Sequence, residues 1–460
     1  MAAKAVSSVI RRLKYGSATT LPGKIAQKID TNVLSNLSKQ IATATFLVTG
    51  TNGKTTVSGL LTQFLNESQH RVVHNHLGAN MLPGITAAMV NQSSLLAKLA
   101  ADFAVLEVDE ASMGAVSLQV NAQVIVVNNL FRDQLDRYGE LETTRQLIQR
   151  GVTVCAGTNT VTLILNADDP LVSEMHLNNQ NVQCLFFGIE TVTYQNLSSS
   201  MPNVPYSQET ISCPLCGANL RVDYQTFAHL GHYRCTACHY QRPKPTVFAQ
   251  SVILHPEYSD VLVNANPHIN QWIKLPLPGL FNVYNFLAAL AAALTQQVSW
   301  PSIQQGVENY KSVFGRAEKR TINGKKLLVM LIKNPIGASE VLKLVASDPN
   351  ARIIIALNDD YADGRDVSWI WDAQFDLLTK QVTQNTKPIF VSGKRAHDMT
   401  TCLKYAGIKP EELITIVNLD DALNKAISAT QTCETLYVLP TYTALLHLKN
   451  TWNKSPRTAA

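Results

Sequence analysis

The stretch Thr45-Phe46-Leu47-Val48-Thr49-Gly50-Thr51-Asn52-Gly53-Lys54-Thr55-Thr56 decides how the rest of the chain is read. Thr45–Val48 is a β-rich run. After Thr56, Leu60, Leu61, Phe64 and Leu65 recur with helical spacing. A strand thus runs through a glycine loop into a helix. Glycine lets the backbone curl until successive N–H groups face phosphate oxygens, and the helix N-terminus adds a favourable dipole. Lys54 can reach terminal phosphates, and the Thr55 hydroxyl can sit on Mg²⁺. Gly50, Thr51, Asn52, Gly53, Lys54, Thr55 and Thr56 are therefore the candidate nucleotide-binding residues. A plain glycine turn would not need Lys-Thr-Thr and a helix in this order. Only Thr51 and Asn52 separate Gly50 from Gly53, where the general phosphate loop has four residues. A generic GTPase or motor loop is a poor match.

Outward from this loop, Val72–His74, Phe103–Val108, Val124–Val127, Val161–Leu165 and Cys184–Phe187 read as buried strands separated by helical or looping segments. That alternation predicts a parallel α/β sheet. It breaks over the Ser/Asn/Pro stretch 198–205 and is expected to resume after Phe248, with an Ala/Leu-rich helix around Asn285–Leu294. A second α/β series follows through Leu327–Ile332, Ile353–Leu357, Ile389–Val391 and Leu436–Leu439. The expected organisation is a basic N-terminal segment (1–44), a central ATP-binding domain (45–316) and a smaller Rossmann-like C-terminal domain (317–460).

Composition bounds the rest. A chain of 460 residues is too long for one core, and 46 % hydrophobic residues at a mean hydropathy of zero mark a folded protein. Charged residues make up 16 %, against about 25 % in an average soluble protein, which implies large interiors or surfaces that meet something else. The longest weakly polar run, Phe281–Leu294, carries Asn282, Tyr284 and Asn285 and falls short of the ~20 apolar residues of a membrane helix. The net charge of +5 does not imply nucleic acid. Before the first acid, Asp30, stand Lys4, Arg11, Arg12, Lys14, Lys24 and Lys28. No apolar run follows them, so a cleavable signal is not expected. A solvated helix, a transit peptide and a helix touching an anionic bilayer surface all fit this segment.

The eight cysteines are of two kinds. Cys155, Cys184, Cys402 and Cys433 are scattered and read as ordinary buried thiols. Cys213, Cys216, Cys235 and Cys238 form C-x2-C-x18-C-x2-C, which is metal spacing and fits a reducing, cytoplasmic setting. Four thiolates build a closed tetrahedral Zn²⁺ site. A ribbon over about 205–246 is thus expected inside the central domain. A zinc ribbon can bind nucleic acid, but Arg221, His229, His232, Arg234 and Lys244 are few and mixed with Asp223 and Glu209. A structural knuckle is the better reading, with His232 and His239 as spare donors.

Glu107 ends a strand, and a carboxylate at the carboxyl edge of a parallel sheet points into the ligand crevice, where it suits Mg²⁺. Of Asp109 and Glu110, one is expected to start the next helix. The short loop is similar to that of the Mur ligases and folylpolyglutamate synthases, which use ATP to activate a carboxylate. Asn128 to Gly139 resembles a further Mur-ligase segment, except that Gln134 stands where most members carry a histidine that helps hold a second metal ion. Asn166-Ala167-Asp168-Asp169-Pro170 matches the nucleotide-side loop. Leu280 to Asn285 resembles the motif whose last Asn, here Asn285, hydrogen-bonds adenine. Phe314-Gly315-Arg316-Ala317-Glu318 resembles the hinge that puts Arg316 near the terminal phosphates. The resemblance runs from about 45 to 460 and implies a Mur-ligase-like α/β fold with ATP and Mg²⁺, and Lys54, Glu107 and Arg316 as catalytic residues.

Two features narrow the family. The zinc ribbon is one. The other is Leu331-Ile332-Lys333-Asn334-Pro335-Ile336-Gly337, which lacks the Asp, Tyr and His of the amino-acid-adding ligases' Asp-Tyr-Ala-His-Asn-Pro. The segments 358–372 and 440–444 likewise do not look like those that grip an incoming amino acid. The combination resembles the MurT family, Mur-ligase-like subunits of lipid II isoglutaminyl synthase. That resemblance implies ATP-dependent amidation of the α-carboxylate of D-isoglutamate in the lipid II stem, with ammonia from a GatD-type glutaminase in a heterodimer. None of the scattered cysteines sits on the Gly-x-Cys-x-Gly elbow of a class I glutaminase, which agrees with a separate partner. In MurT proteins the aspartate of the Asp363-Gly364-Arg365-Asp366 segment, here Asp366, is thought to complete the partner's Cys-His pair. The plainer reading makes Asp366 a cap on a helix near Val367. Rival functions are a free-standing amino-acid ligase and a nucleotide-switched binding protein with the ribbon as its docking module.

Overall fold

The computed structural model describes residues 20–75, 79–131, 141–177, 181–194, 211–265, 269–312, 315–379 and 387–454. The basic residues before position 20, Gln134 with most of its segment, the stretch 198–205 and Phe314 lie outside the described residues.

The first strands are β1 (Ile41–Thr49), β2 (Val72–His74), β3 (Ala101–Glu107), β4 (Val124–Val127), β5 (Val161–Asn166), β6 (Val182–Ile189) and β7 (Val192–Tyr194). The cysteine ribbon follows as β8 (Leu220–Phe227) and β9 (Leu230–Cys235), an antiparallel pair with no ladder to either larger sheet. β10 (Val247–Leu254), β11 (Ser259–Ala265) and β12 (Ile269–Leu275) then complete a ten-stranded sheet in the order β12-β11-β10-β6-β5-β4-β1-β3-β2, with β7 paired to β10. From β2 to β10 every neighbour is parallel. The chain enters each strand from the same side, so the loops leaving their carboxyl ends gather at one edge.

Sequence alternation does not resume after Phe248 as expected. β10, β11 and β12 are an antiparallel meander, because Val261, Val263 and Ala265 are buried at every second position and only one face of this part is covered.

The sheet separates two cores. On β1, Phe46 and Val48 face the side covered by the helices Lys54–Glu67 and Leu280–Leu294, while Leu47 faces Ile85, Met89 and Ile148 on the opposite side. The helix Leu280–Leu294 is buried nearly all round, which explains its Ala/Leu composition. Phe64 meets Phe286 edge-to-face at 6.3 Å between ring centres, joining the two helices.

The second sheet holds β13 (Arg316–Ile322), β14 (Lys325–Met330), β15 (Ala351–Ala356), β16 (Ile389–Ser392), β17 (Leu413–Thr415) and β18 (Thr435–Pro440), ordered β13-β14-β18-β15-β16-β17. All of its neighbours are parallel except β13 and β14. These two are joined by Asn323-Gly324, both at positive φ (51° and 73°), as a two-residue hairpin turn demands. Arg316 is the first residue of β13 and pairs with Met330, so its backbone belongs to this sheet.

Phe64 has no exposed surface and closes the joint between the two helices. Phe64→Ala should lower unfolding free energy by about 3–5 kcal/mol, read as a shift of the urea midpoint with unchanged slope.

Candidate active site

The phosphate loop is shaped by amides on the turn that leaves β4. Thr51 N–H donates to the Asn129 carbonyl at 2.9 Å, and Asn52 N–H donates to Asn129 Oδ1 at 2.8 Å. Asn128 Nδ2 and Asn129 Nδ2 both donate to the Asn52 carbonyl, at 2.9 and 3.1 Å. Thr51 closes the other side, its hydroxyl donating to the Phe131 carbonyl and accepting from the Phe131 N–H. Gly50 and Gly53 lie at φ 122° and 88°. A Cβ on Gly53 would stand 1.9 Å from Asn285 Oδ1 and 2.5 Å from Asn128 Nδ2, so only glycine fits. Asn285 is 3 % exposed; its Oδ1 accepts from Asn128 Nδ2 at 2.8 Å, which ties the adenine candidate to the phosphate loop.

Charge concentrates beneath this loop. Lys54 Nζ donates to the Gly50 carbonyl at 2.7 Å and bridges Glu110 at 3.0 and 3.1 Å. Burial alone would lower the Lys54 pKa, but Glu110, Asp109 and Glu107 together drive it upward. Burial raises that of Glu110 against the pull of Lys54. Asp109 starts the short helical turn, accepting from Ala111 N–H, and Glu110 is left to face the lysine. Glu107 is 3 % exposed, with Oε1 accepting from Asn80 Nδ2 at 3.2 Å, while its buried Oε2 has no hydrogen-bond donor among the described residues. Asn75 grips the Glu107 peptide from both sides, at 2.8 Å each. An orphaned carboxylate oxygen whose charge acts on the neighbouring Lys54 suits a hard cation with oxygen ligands, so the residues present fit Mg²⁺. Arg316 is drawn down from the usual guanidinium range by burial, opposed by Glu107 and Tyr310.

A cleft of about 710 Å³, open to solvent, runs between the two sheets. Asn52, Gly53, Thr56 and Asn285 line one wall and Arg316, Lys333 and Asn334 the other, with Phe131, Phe227 and Phe281 as an aromatic patch. Lys333 and Asn334 are functional candidates that sequence reasoning quoted without assigning. Lys333 Nζ lies 3.5 Å from the Thr51 carbonyl, and Asn334 Nδ2 donates to Asn52 Oδ1 at 3.2 Å. Asn334 also caps the helix Pro335–Ser347 through Gly337 N–H at 2.8 Å, and Asn-Pro at a helix start is the signal that could have found it.

Asp168 and Asp169, from the loop expected on the nucleotide side, are fully buried. Asp169 caps Pro170–Ser173 and accepts from Leu130 N–H at 2.8 Å. Asp168 accepts from Arg242 Nε at 2.6 Å, Tyr284 OH at 2.7 Å and Ile189 N–H at 2.8 Å. Both brace neighbouring loops, and neither lines the cleft.

The ribbon brings its cysteines together. The sulfurs of Cys213, Cys216, Cys235 and Cys238 lie within 4.8 Å of one another, with Cys213–Cys238 at 3.6 Å and Cys216–Cys235 at 3.5 Å. Such spacing around a common centre suits a tetrahedral ion. The N–H groups of Ala237 and Cys238 point at Cys235 Sγ, at 3.3 and 3.4 Å, as they do toward a thiolate. Of the scattered cysteines, Cys155 and Cys402 are buried as expected, Cys184 is half-buried, and Cys433 is exposed on the turn before β18.

The comparisons with known proteins fall on this frame. Residues 48–219 match the Mur ligase middle domain, and residues 331–445 match the MurT ligase C-terminal domain. The chain is 34 % identical over 451 residues to the lipid II isoglutaminyl synthase (glutamine-hydrolyzing) subunit MurT of Streptococcus pneumoniae, covering 98 % of this chain and 95 % of that one. The chain belongs to the MurT family. A second MurT subunit, from Staphylococcus aureus, is 34 % identical over 95 % of this chain and 93 % of its own. Among solved structures, a pseudomurein peptide ligase type C from Methanothermus fervidus superposes with a TM-score of 0.66 at 22 % identity, covering 91 % of this chain and 80 % of that one. The Mycobacterium tuberculosis folylpolyglutamate synthase complexed with ADP and AMPPCP does so at 0.59 and 15 %, covering 92 % and 95 %. These two likenesses carry the Mur-ligase-like fold. This MurT-family chain is a ligase, and among its described residues no helix is long and apolar enough to cross a membrane.

In this MurT-family chain Asp366 stands apart from the cleft residues, exposed on the loop after β15. Its Oδ1 accepts from Ser368 N–H at 2.8 Å, and that contact holds its carboxyl below the usual range. Asp363 fixes the loop, accepting Thr443 N–H at 2.7 Å and the Thr443 hydroxyl at 2.5 Å. Gly364 follows at φ 81°.

Gly53→Ala would strain a left-handed position and drive its Cβ into the Asn285 amide. It should weaken nucleotide binding by more than about tenfold with the fold retained, as read by calorimetric titration and circular dichroism.

Proposed function

We propose that this chain is the ATP-dependent ligase subunit of a two-subunit amidotransferase that converts the α-carboxylate of D-isoglutamate in the lipid II stem to D-isoglutamine. The observation that carries the reading is the identity of 34 % across 98 % of the chain with a subunit so named, because it includes the C-terminal part where amino-acid-adding ligases differ. The first sheet with its helices forms the nucleotide-binding unit, and the second sheet, from Arg316 onward, the side that meets partner and substrate.

A carboxylate does not react usefully with ammonia. Here its oxygen attacks the terminal phosphorus of ATP, ADP leaves, and the acyl phosphate that results is attacked at carbon by ammonia, with phosphate departing. The backbone from Gly50 to Thr56 cradles the phosphates. Lys54, Arg316 and Lys333 spread positive charge around the phosphoryl group as negative charge shifts toward the leaving oxygen. Glu107 and the Thr55 hydroxyl would hold Mg²⁺, which supplies charge neutralisation at the phosphates. Asn285 takes the adenine edge. Cys213, Cys216, Cys235 and Cys238 hold Zn²⁺ as a structural ion, and Gln134 leaves a second Mg²⁺ without its usual histidine.

Ammonia comes from a GatD-type glutaminase subunit, and Asp366 completes that partner's Cys-His pair. Its exposure, on a loop pinned by Asp363, supports a carboxylate presented to another protein. Tyr361 and Trp371, close to it in sequence, are 87 % and 53 % exposed, as a docking surface requires. The complex works in the cytoplasm, with its lipid-linked substrate at the inner face of the membrane.

Lys54→Ala, purified with the partner, should lose amidation by at least about a hundredfold while circular dichroism stays native, since one preorganised charge is removed at the transferring group. Near-normal amidation would reject the loop assignment. Asp366→Asn should lower glutamine hydrolysis at least about tenfold and leave amidation driven by added ammonia nearly intact. Equal losses in both activities would reject the triad role.

A further inference from the structure

The ribbon's two ends differ in what they carry, although both are anchored to the central domain. At one end stand the four cysteines. At the other, roughly 20 Å along the hairpin, the turn Phe227–Leu230 is buried in the core of the central domain, with Phe227 2 %, Ala228 5 % and Leu230 0 % exposed. No ladder joins β8 or β9 to the larger sheets. The tip is held by one side-chain and one backbone hydrogen bond instead: the Thr226 hydroxyl meets Tyr284 OH at 2.8 Å, and Gly231 N–H donates to the Asp168 backbone carbonyl at 2.9 Å.

At that tip Phe227 lines the cleft between the sheets. Its ring centre lies 5.6 Å from Phe131 and 5.5 Å from Tyr284, so it is wedged between the turn that shapes the phosphate loop and the helix that carries Asn285. The cysteine end is fastened to the same region. Tyr233 OH and Tyr240 OH reach Ser173 Oγ at 2.5 and 2.8 Å, and Arg242 grips Asp168. A two-stranded hairpin is marginally stable by itself, and a structural metal supplies folding free energy directly.

We propose that Phe227 is a nucleotide-positioning residue, the aromatic wall for the base, and that the four-cysteine knuckle sets its position, so that Zn²⁺ occupancy and nucleotide binding are coupled. This rests on the reading of the cleft as the ATP site. Coupling of this kind is reciprocal: if the metal strengthens nucleotide binding, bound nucleotide must retain the metal by the same factor.

The test uses the full-length chain, ADP with Mg²⁺ as the probe, and a zinc-selective chelator. Phe227→Ala should keep one zinc per chain and a native circular dichroism spectrum, yet bind ADP roughly tenfold more weakly, the scale of one base–aromatic stack. Zinc removal from the unaltered chain should weaken ADP binding to a similar extent, and removal from Phe227→Ala should weaken it little further. Saturating ADP should slow zinc loss from the unaltered chain and not from Phe227→Ala. The last measurement is made on folded protein, so it holds even where the stripped chain unfolds. Unchanged ADP affinity in Phe227→Ala, or zinc loss indifferent to ADP in the unaltered chain, overturns the proposal. Failure of the unaltered chain to bind ADP overturns the nucleotide reading on which it rests.

Discussion

Everything around the cleft depends on a set of uncharged side-chain amides that fold a loop unable to fold itself. Asn128 and Asn129 meet at the Asn52 carbonyl, and Asn129 returns a carbonyl oxygen to the Asn52 N–H. Asn285 joins through Asn128, and Asn166 Nδ2 donates to the Asn128 backbone carbonyl at 3.0 Å. An amide offers donors and acceptors together and does not titrate, so the loop keeps one shape while charge comes and goes beside it. The absence of a side chain at Gly53 is a consequence of this network, because the space belongs to Asn285 and Asn128.

The charged layer beneath works on a different principle. Burying Lys54 and Glu110 costs solvation that their ion pair offsets. Glu107 is left with an oxygen that no group among the described residues satisfies, although its peptide is clamped by Asn75. A rigid backbone carrying an unsatisfied acid is a preorganised receptor, since little has to move when a cation arrives. The negative potential of three neighbouring acids is countered by the cations that ring the cleft.

How much of this was legible follows from where each determinant lies. The strands β1 to β5 are readable because a strand buried on both faces announces itself as a short apolar run, β6 through its Leu185-Phe186-Phe187 run although much of it is only half-buried, and the phosphate loop because its glycines, lysine and threonines are contiguous. β10 to β12 are covered on one face, and in the sequence their segment reads as a return of α/β order rather than as a meander. Cys433 was misplaced because a cysteine in a lone sequence carries no sign of depth. Asp109 and Glu110 could not be told apart, since which of them caps and which faces Lys54 depends on the backbone entering the turn. Asn334 is legible as a helix cap before Pro335 but not as a site residue, and Lys333 and Phe227 carry no local signal, for one shared reason. Each reaches the cleft from an element remote in sequence, and no local pattern encodes that meeting.

The placement of Arg316 in β13 has a temporal consequence. Arg316 pairs with Met330 at the end of β14, and Lys333 and Asn334 follow in the turn just beyond. All three therefore ride on one corner of the second sheet. A swing of that sheet away from the phosphate loop withdraws both cations and the Asn334 amide in a single movement, and a swing back delivers them together. Lys54 stays with the phosphate loop, so the two sheets contribute the cleft's positive charge in two fixed parcels, one lysine from the first and the Arg316–Lys333 pair from the second.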